Sequence, residues 1–214
     1  MLNETLEPMP LAERVAAVRL ESPFIGATDV VSGHVARPSK ACAMRELPFR
    51  DLVMVRGEPQ DAAFTSGFAQ ALGCRLPVQP NTRSMGAEYD ALWLGPDEWL
   101  VRSAGPVEAG LLEEKLTGVL SGNEGSWATA VDVGSGYTVV ELSGTRVREV
   151  LARGCPLDLH PRLFKEGQCA QSFFFKASIV LIPTGADRYE VVVRRSFADY
   201  FCRILLDAAA PLMS

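Results

Sequence analysis

The sequence predicts an α+β fold: two strand–helix–hairpin–helix repeats, with mainly antiparallel sheets covered by helices. Three observations carry the prediction. Short apolar runs with strand-like alternation end at glycines, runs of helical period follow them, and this order of elements occurs twice along 214 residues. A chain of this length buries a substantial core, as one large domain or two small halves.

The elements follow in order. "FRDLVMVRG" reads as a strand ending at Gly57, and "EPQDAAFTSGFAQAL" as a helix closed by Gly73. Pro59 suits the first turn of that helix, where its missing N–H costs nothing. An irregular "RLPVQPNTRSMG" leads into the hairpin "ALWLGPDEWLVRS" and then a helix in "VEAGLLEEKLTGVL". Leu111, Leu112, Leu116 and Leu120 lie close to one face of this helix. In the second pass "YTVVELSG" is a strand ending at Gly144, and "TRVREVLAR" is a helix with Thr145 as N-cap and Gly154 as stop. "PLDLHPRLFKEGQCAQ" is irregular, "ASIVLIPTGADRYEVVVRRS" a hairpin and "FADYFCRILLDAA" the last helix. The match reaches single residues: Gly73-Cys74-Arg75-Leu76 answers Gly154-Cys155-Pro156-Leu157, and "WLVRS" answers "VVRRS". The expected units are residues 46–125 and 126–214, joined through the glycine-rich "SGNEGSW". Residues 1–45 form an N-terminal arm, with one short helix in "PLAERVAAVRL", that docks on a partner or packs on its own domain.

Composition narrows the function. Hydrophobic residues make up 48% and charged residues 22%, which is ordinary for a globular protein. With 21 basic against 26 acidic residues, net charge −5, and no basic block, nucleic acid is not an expected partner. The longest apolar run, near Phe173–Pro183, is broken by Lys176 and is too short for a membrane helix; the acidic N-terminus lacks a signal peptide's basic region. Five dispersed cysteines without a Cys-x-x-Cys pair suggest a reduced, cytoplasmic chain, and two histidines give poor support for a zinc site.

Candidate chemistry is thin. In "LWLGPDEWLV" two carboxylates, Asp97 and Glu98, stand between tryptophans, but Pro96 and Asp97 suit a hairpin turn, whose side chains diverge into water. Gly134-Ser135-Gly136 has neither the spacing of a nucleophile elbow nor the third glycine of a dinucleotide loop. Asp158 and His160 could pair for acid–base work, although flanking Pro156 and Pro161 point to a loop. Arg194 and Arg195, with Arg188 and Arg203, could grip a carboxylate or simply form a solvated face. Cys74 and Cys155, each following a helix, read as small buried hydrophobes. No catalytic, cofactor-binding or metal-binding residue is assigned on these grounds.

The string "VDVGSGYTVVELSGTRVREVLARGCPLDLHP", followed by "GQCAQ" and "VVVRRSFADY", resembles the gamma subunit family of heterotetrameric sarcosine oxidase, as do "LPFRDLVMVRG" and "LWLGPDEWLV". These gamma subunits in turn resemble the folate-binding region of aminomethyltransferases. Those enzymes carry Asp-Val-Ser-His where this chain has Asp132-Val133-Gly134-Ser135. The stretch matching their catalytic aspartate, Gln168 to Gly185, contains no Asp or Glu here, and Lys176 is its only charge. A pterin's paired N–H donors need a bidentate acceptor and its reacting nitrogen an acid or base. The resemblance therefore implies a non-catalytic subunit of a complex that demethylates sarcosine oxidatively to glycine, hydrogen peroxide and 5,10-methylenetetrahydrofolate. It also implies alpha, beta and delta partners, with the main contact to alpha. FAD, FMN, NAD and zinc would sit on those partners, and tetrahydrofolate would be the co-substrate. Trp127, Phe173 to Phe175 and Met213 are candidates for the contact surface. Two alternatives stay open. One is the corresponding subunit of an N-methylglutamate dehydrogenase, which has a related subunit set. The other is a stand-alone folate-dependent one-carbon protein using Asp132, Glu141 or Asp158.

Overall fold

A computed structural model describes residues 21–25, 40–105, 110–120 and 127–212. The helix expected in "PLAERVAAVRL", most of the arm and Met213 lie outside the described residues. In chain order the elements are β1 (Ala43–Leu47), β2 (Leu52–Gly57), α1 (Ala62–Leu72), β3 (Arg83–Met85), β4 (Tyr89–Gly95), β5 (Glu98–Ser103) and α2 (Leu111–Leu120). They continue with β6 (Ala128–Asp132), β7 (Tyr137–Ser143), α3 (Val147–Ala152), β8 (Ala170–Phe174), β9 (Ala177–Gly185), β10 (Arg188–Arg194) and α4 (Ala198–Ala209).

The strands form two five-stranded antiparallel sheets, ordered β6-β2-β5-β4-β3 and β1-β7-β10-β9-β8. Position for position the two orders are the same, and each sheet takes one edge strand from the far side of the other. β1 precedes the first sheet in sequence yet pairs with β7, Met44 opposite Leu142 and Leu47 opposite Val139. β6 follows the first sheet's other strands and returns to β2, Val55 opposite Ala130. The edge strands β1, β3, β6 and β8 are short, with little apolar alternation, and sequence patterning did not mark them. β1 runs across residue 45, through the end of the expected arm.

The local signals are mostly where periodicity puts them. Asp61 caps α1, its carboxylate accepting from Ala63 N at 2.8 Å and Phe64 N at 3.4 Å, so Pro59 lies in the preceding turn and not inside the helix. Gly73 closes α1 with φ 66°, a left-handed conformation that favours glycine. The expected cap of α3 is corrected: Arg146 occupies the N-cap position without a side-chain cap bond. Thr145 is diverted to Lys40 O, to which its N–H donates at 3.0 Å and its hydroxyl at 3.3 Å. The chain before β1 passes so close here that a Cβ on Gly144 would lie 2.5 Å from Ala41 O.

Three apolar layers hold these parts together. α1 and α2 cover one sheet through Phe64, Phe68, Leu112 and Leu116, packed against Trp99, whose Nε1 donates to Pro77 O at 2.7 Å. α3 and α4 cover the other through Val150, Leu151, Phe201 and Leu205. Between the sheets Leu52, Leu92 and Leu100 meet Val139, Val180, Ile182 and Val192. The result is a helix–sheet–sheet–helix stack, as expected for two sheets that each bury both faces. The β3 and β8 edges also touch, where Arg83 N donates to Gly167 O at 2.9 Å and Cys169 N to Asn81 O at 3.0 Å.

Candidate functional site

The paired carboxylates of "GPDE" occupy a hairpin corner. Pro96 and Asp97 form the turn between β4 and β5, and Trp93 stands opposite Trp99 across the pair. Asp97 accepts from Arg56 Nη2 at 2.7 Å on the exposed surface. Asp158 and His160 likewise serve a loop: His160 N donates to Asp158 Oδ1 at 2.9 Å, and Arg162 N donates to His160 Nδ1 at 3.2 Å. Gly134–Gly136 is a single 3-10 turn leading into β7. The arginine cluster disperses. Arg194 lies over the Tyr137 ring, Arg203 pairs with Asp199 at 2.9 Å, and Arg188 stands 3.8 Å from Glu141, which also takes Arg45 at 3.0 Å.

All five thiols are buried. Burial pushes Cys42 and Cys169 up to about 11 and Cys202 higher still, so none of these three is poised as a thiolate nucleophile. Among the described residues no three His, Cys, Asp or Glu side chains gather to hold a metal, and no helix is long and apolar enough to cross a membrane.

Sequence patterning missed a charged seam between the sheets. Arg102 of β5 reaches both Asp90 of β4, at 3.1 Å, and Glu190 of β10 in the opposite sheet. Arg83 closes on Asp90 at 2.5 Å. The available signal was a charge at an inward position of an apolar strand: Asp90 shares its face with Leu92, and Arg102 shares its face with Leu100. Asp51, also buried, accepts from Gly110 N at 3.2 Å and Leu112 N at 3.1 Å, holding the start of α2. Burial raises its pKa, and these two backbone donors oppose the rise.

Next to this seam the β1–β2 and β6–β7 connections, equivalent positions in the two sheets, face each other across a cavity of about 330 Å³. Its walls include Glu46, Arg50, Asp132, Tyr137, Thr138 and Arg195. Glu46 accepts from Ser22 Oγ at 2.6 Å and from Thr138 Oγ1 at 2.9 Å. Asp132 accepts from Gly134 N at 2.7 Å. Burial draws the Arg50 guanidinium below its ordinary pKa, and its buried Nη1 has no hydrogen-bond partner among the described residues. Of the three acids considered for folate chemistry, only Asp132 reaches this cavity; Glu141 is held by arginines and Asp158 by its loop.

The sarcosine oxidase, gamma subunit family model matches residues 56–211. The sarcosine oxidase subunit gamma of Arthrobacter sp is 35% identical over 175 residues, covering 81% of this chain and 83% of that protein. The chain belongs to the sarcosine oxidase gamma subunit family. Among other gamma subunits, that of Corynebacterium sp. (strain U-96) is 28% identical over 209 residues, covering 97% of this chain and 95% of its own. In structure, this gamma-family chain superposes on a chain of the heterotetrameric sarcosine oxidase from Corynebacterium sp. U-96 in complex with pyrrole 2-carboxylate. The TM-score is 0.79 at 26% identity, covering 91% of this chain and 96% of that one. The glycine cleavage system aminomethyltransferase T from Bartonella henselae shares the fold, with TM-score 0.62 at 13% identity, over 88% of this chain and 57% of that one. The gamma family model begins at Arg56, so β1 and the cavity residues Glu46, Arg50 and Asp51 lie ahead of the matched region.

Proposed function

We propose that this chain is the non-catalytic, structural gamma subunit of a cytoplasmic, heterotetrameric sarcosine oxidase. That complex would demethylate sarcosine oxidatively to glycine and hydrogen peroxide, passing the one-carbon unit to tetrahydrofolate as 5,10-methylenetetrahydrofolate. Alpha, beta and delta subunits would hold FAD, FMN, NAD and zinc, and alpha would provide the main contact for this chain.

Family membership supports the complex, and one observation supports the lack of catalysis. β8, β9 and the turn between them carry no carboxylate, and their one charge, Lys176, sits at the turn. A pteridine would find no bidentate acceptor on that stretch. The described surface also offers apolar side chains for a partner: Trp127 is 55% exposed, Phe173 52% and Phe175 43%. Phe174, between the last two, is fully buried core and is not available.

Two measurements test the reading. The purified chain, titrated with tetrahydrofolate, should give no saturable signal; micromolar binding would replace the structural role with a folate-handling one. In co-expression with the other subunits, Phe173→Asp should weaken co-purification, and so should removal of residues 1–39. The truncation stops short of β1 but takes away Ser22 and the buried Phe24, so loss of assembly reports docking when the truncated chain melts like the full one. Full recovery of both variants in the complex would refute this choice of contact surface.

A further inference from the structure

Opposite charges line the cavity between the sheets without meeting. Among the described residues Arg50, before β2, and Arg195, after β10, make no direct ion pair, although carboxylates share their cavity and the seam's Glu190 and Asp90 act on Arg50 from further off. Among the described residues the Glu46 carboxylate takes only the hydroxyls of Ser22 and Thr138, and that of Asp132 only the Gly134 N–H, so no cation there pairs with either. Arg195 and Asp132 are exposed and meet water, but Arg50 and Glu46 are half-buried, and a half-buried guanidinium ordinarily pairs with the nearest available carboxylate, because leaving both desolvated and separate costs free energy. Here the fold keeps them apart.

We propose that this cavity binds a small zwitterion, one molecule carrying a carboxylate and an ammonium on a short apolar body. Its carboxylate lies against the guanidinium of Arg50 or Arg195, a planar fork suited to bidentate carboxylate recognition. Its ammonium donates to Glu46 or Asp132, whose oxygens retain free lone pairs beside their present donors. Four carboxylates, Glu21, Glu46, Asp51 and Asp132, and two guanidiniums line the walls; a simple anion or a simple cation therefore lacks one of the two contacts that the zwitterion makes. Leu47, Pro48 and Val139 give the body an apolar surface, and the volume, at the lower end of small-molecule sites, admits a small amino acid. Phe49 adds a second sign of a built site: it lines the cavity with φ 56°, a left-handed conformation that is costly for a bulky side chain and recurs at ligand clamps.

The inference is separate from the subunit role, since a chain that assembles normally but ignores zwitterions loses only this site. Calorimetric titration of the purified full chain with L-alanine and L-proline, beside propionate and propylamine, tests it. One equivalent of an amino acid should bind saturably, with propionate and propylamine weaker by about tenfold or more. Arg195→Gln, an exposed substitution that leaves the core intact, should weaken the amino acid by a similar factor, as should Glu46→Gln. In the co-expressed assembly, Arg195→Gln should remove one bound equivalent of amino acid. Propionate binding as tightly as alanine would make this an anion site and overturn the proposal. So would absence of saturable amino-acid binding in both the chain and the assembly, or affinity unchanged in Arg195→Gln.

Discussion

Arg102→Leu tests whether the charged seam joins the two sheets. The guanidinium is 4% exposed and bonds Asp90, also 4% exposed, and Glu190, 14% exposed, in the opposite sheet. Leucine fits the apolar neighbourhood of Leu52, Leu92 and Leu100, so packing alone predicts little loss. Electrostatics predict more. Asp90 keeps Arg83 at 2.5 Å, but Glu190 loses its ion-pair partner and faces Glu141 across the β10–β7 pair. Breaking a buried pair costs about 3–5 kcal/mol, and the residual exposure of Glu190 sets the expectation near the lower end, about 3 kcal/mol. Urea unfolding at pH 7 should show that loss as a lower midpoint at constant slope. Adding Glu190→Leu to Arg102→Leu should return much of it, a coupling of about 1–3 kcal/mol, because the stranded carboxylate is then gone. A single-variant loss below about 1 kcal/mol, or additive losses in the double variant, would refute the assignment of stability to the ion pair.

Four further outcomes are expected. Residues 126–214 expressed alone should not give a cooperative melt, because β7 lacks β1 and the face of Val139, Val180, Ile182 and Val192 lies bare; residues 40–125 in trans should restore it, and an independent sharp transition would contradict the strand exchange. Thiol reagents should leave all five cysteines unmodified in the native chain and label five after denaturation. Cys42 and Cys169 titrate near 11 when folded against an ordinary 9.0, so the unfolded chain ionises first. Stability should therefore hold below about pH 9 and fall towards pH 11, by about 2–3 kcal/mol per thiol, and Cys42→Ala should flatten that fall. Gly57→Ala would put a Cβ 2.7 Å from Cζ of the buried Phe64 ring, which cannot easily shift, and a loss of about 1–3 kcal/mol is expected in thermal or urea unfolding.

Much of the fold was legible because its signals are local. Helical period placed α2 and α4, alternation placed β2, β7 and the two hairpins, and Gly73 and the Pro96–Asp97 turn needed only their own backbone chemistry. Signals that depend on a distant partner failed. Thr145 looks like a helix cap in sequence, but in the fold Lys40, brought alongside by β1, takes its hydroxyl. The cavity was less legible still. Of its charged walls, sequence reasoning singled out Asp132 and Arg195 for other reasons, and passed over Glu46 and Arg50, which sit in short polar stretches without a motif.

The amino-acid order by itself determined the doubled succession of elements and the lack of acids from Gln168 to Gly185, since periodicity and composition need no knowledge of neighbours. Only the tertiary structure decided that the sheets exchange β1 and β6, that Arg102 bridges them, and that unpaired opposite charges meet one cavity. An edge strand satisfies its hydrogen bonds equally well in either sheet as far as local pattern goes, and a charge finds its partner only once the chain has crossed over.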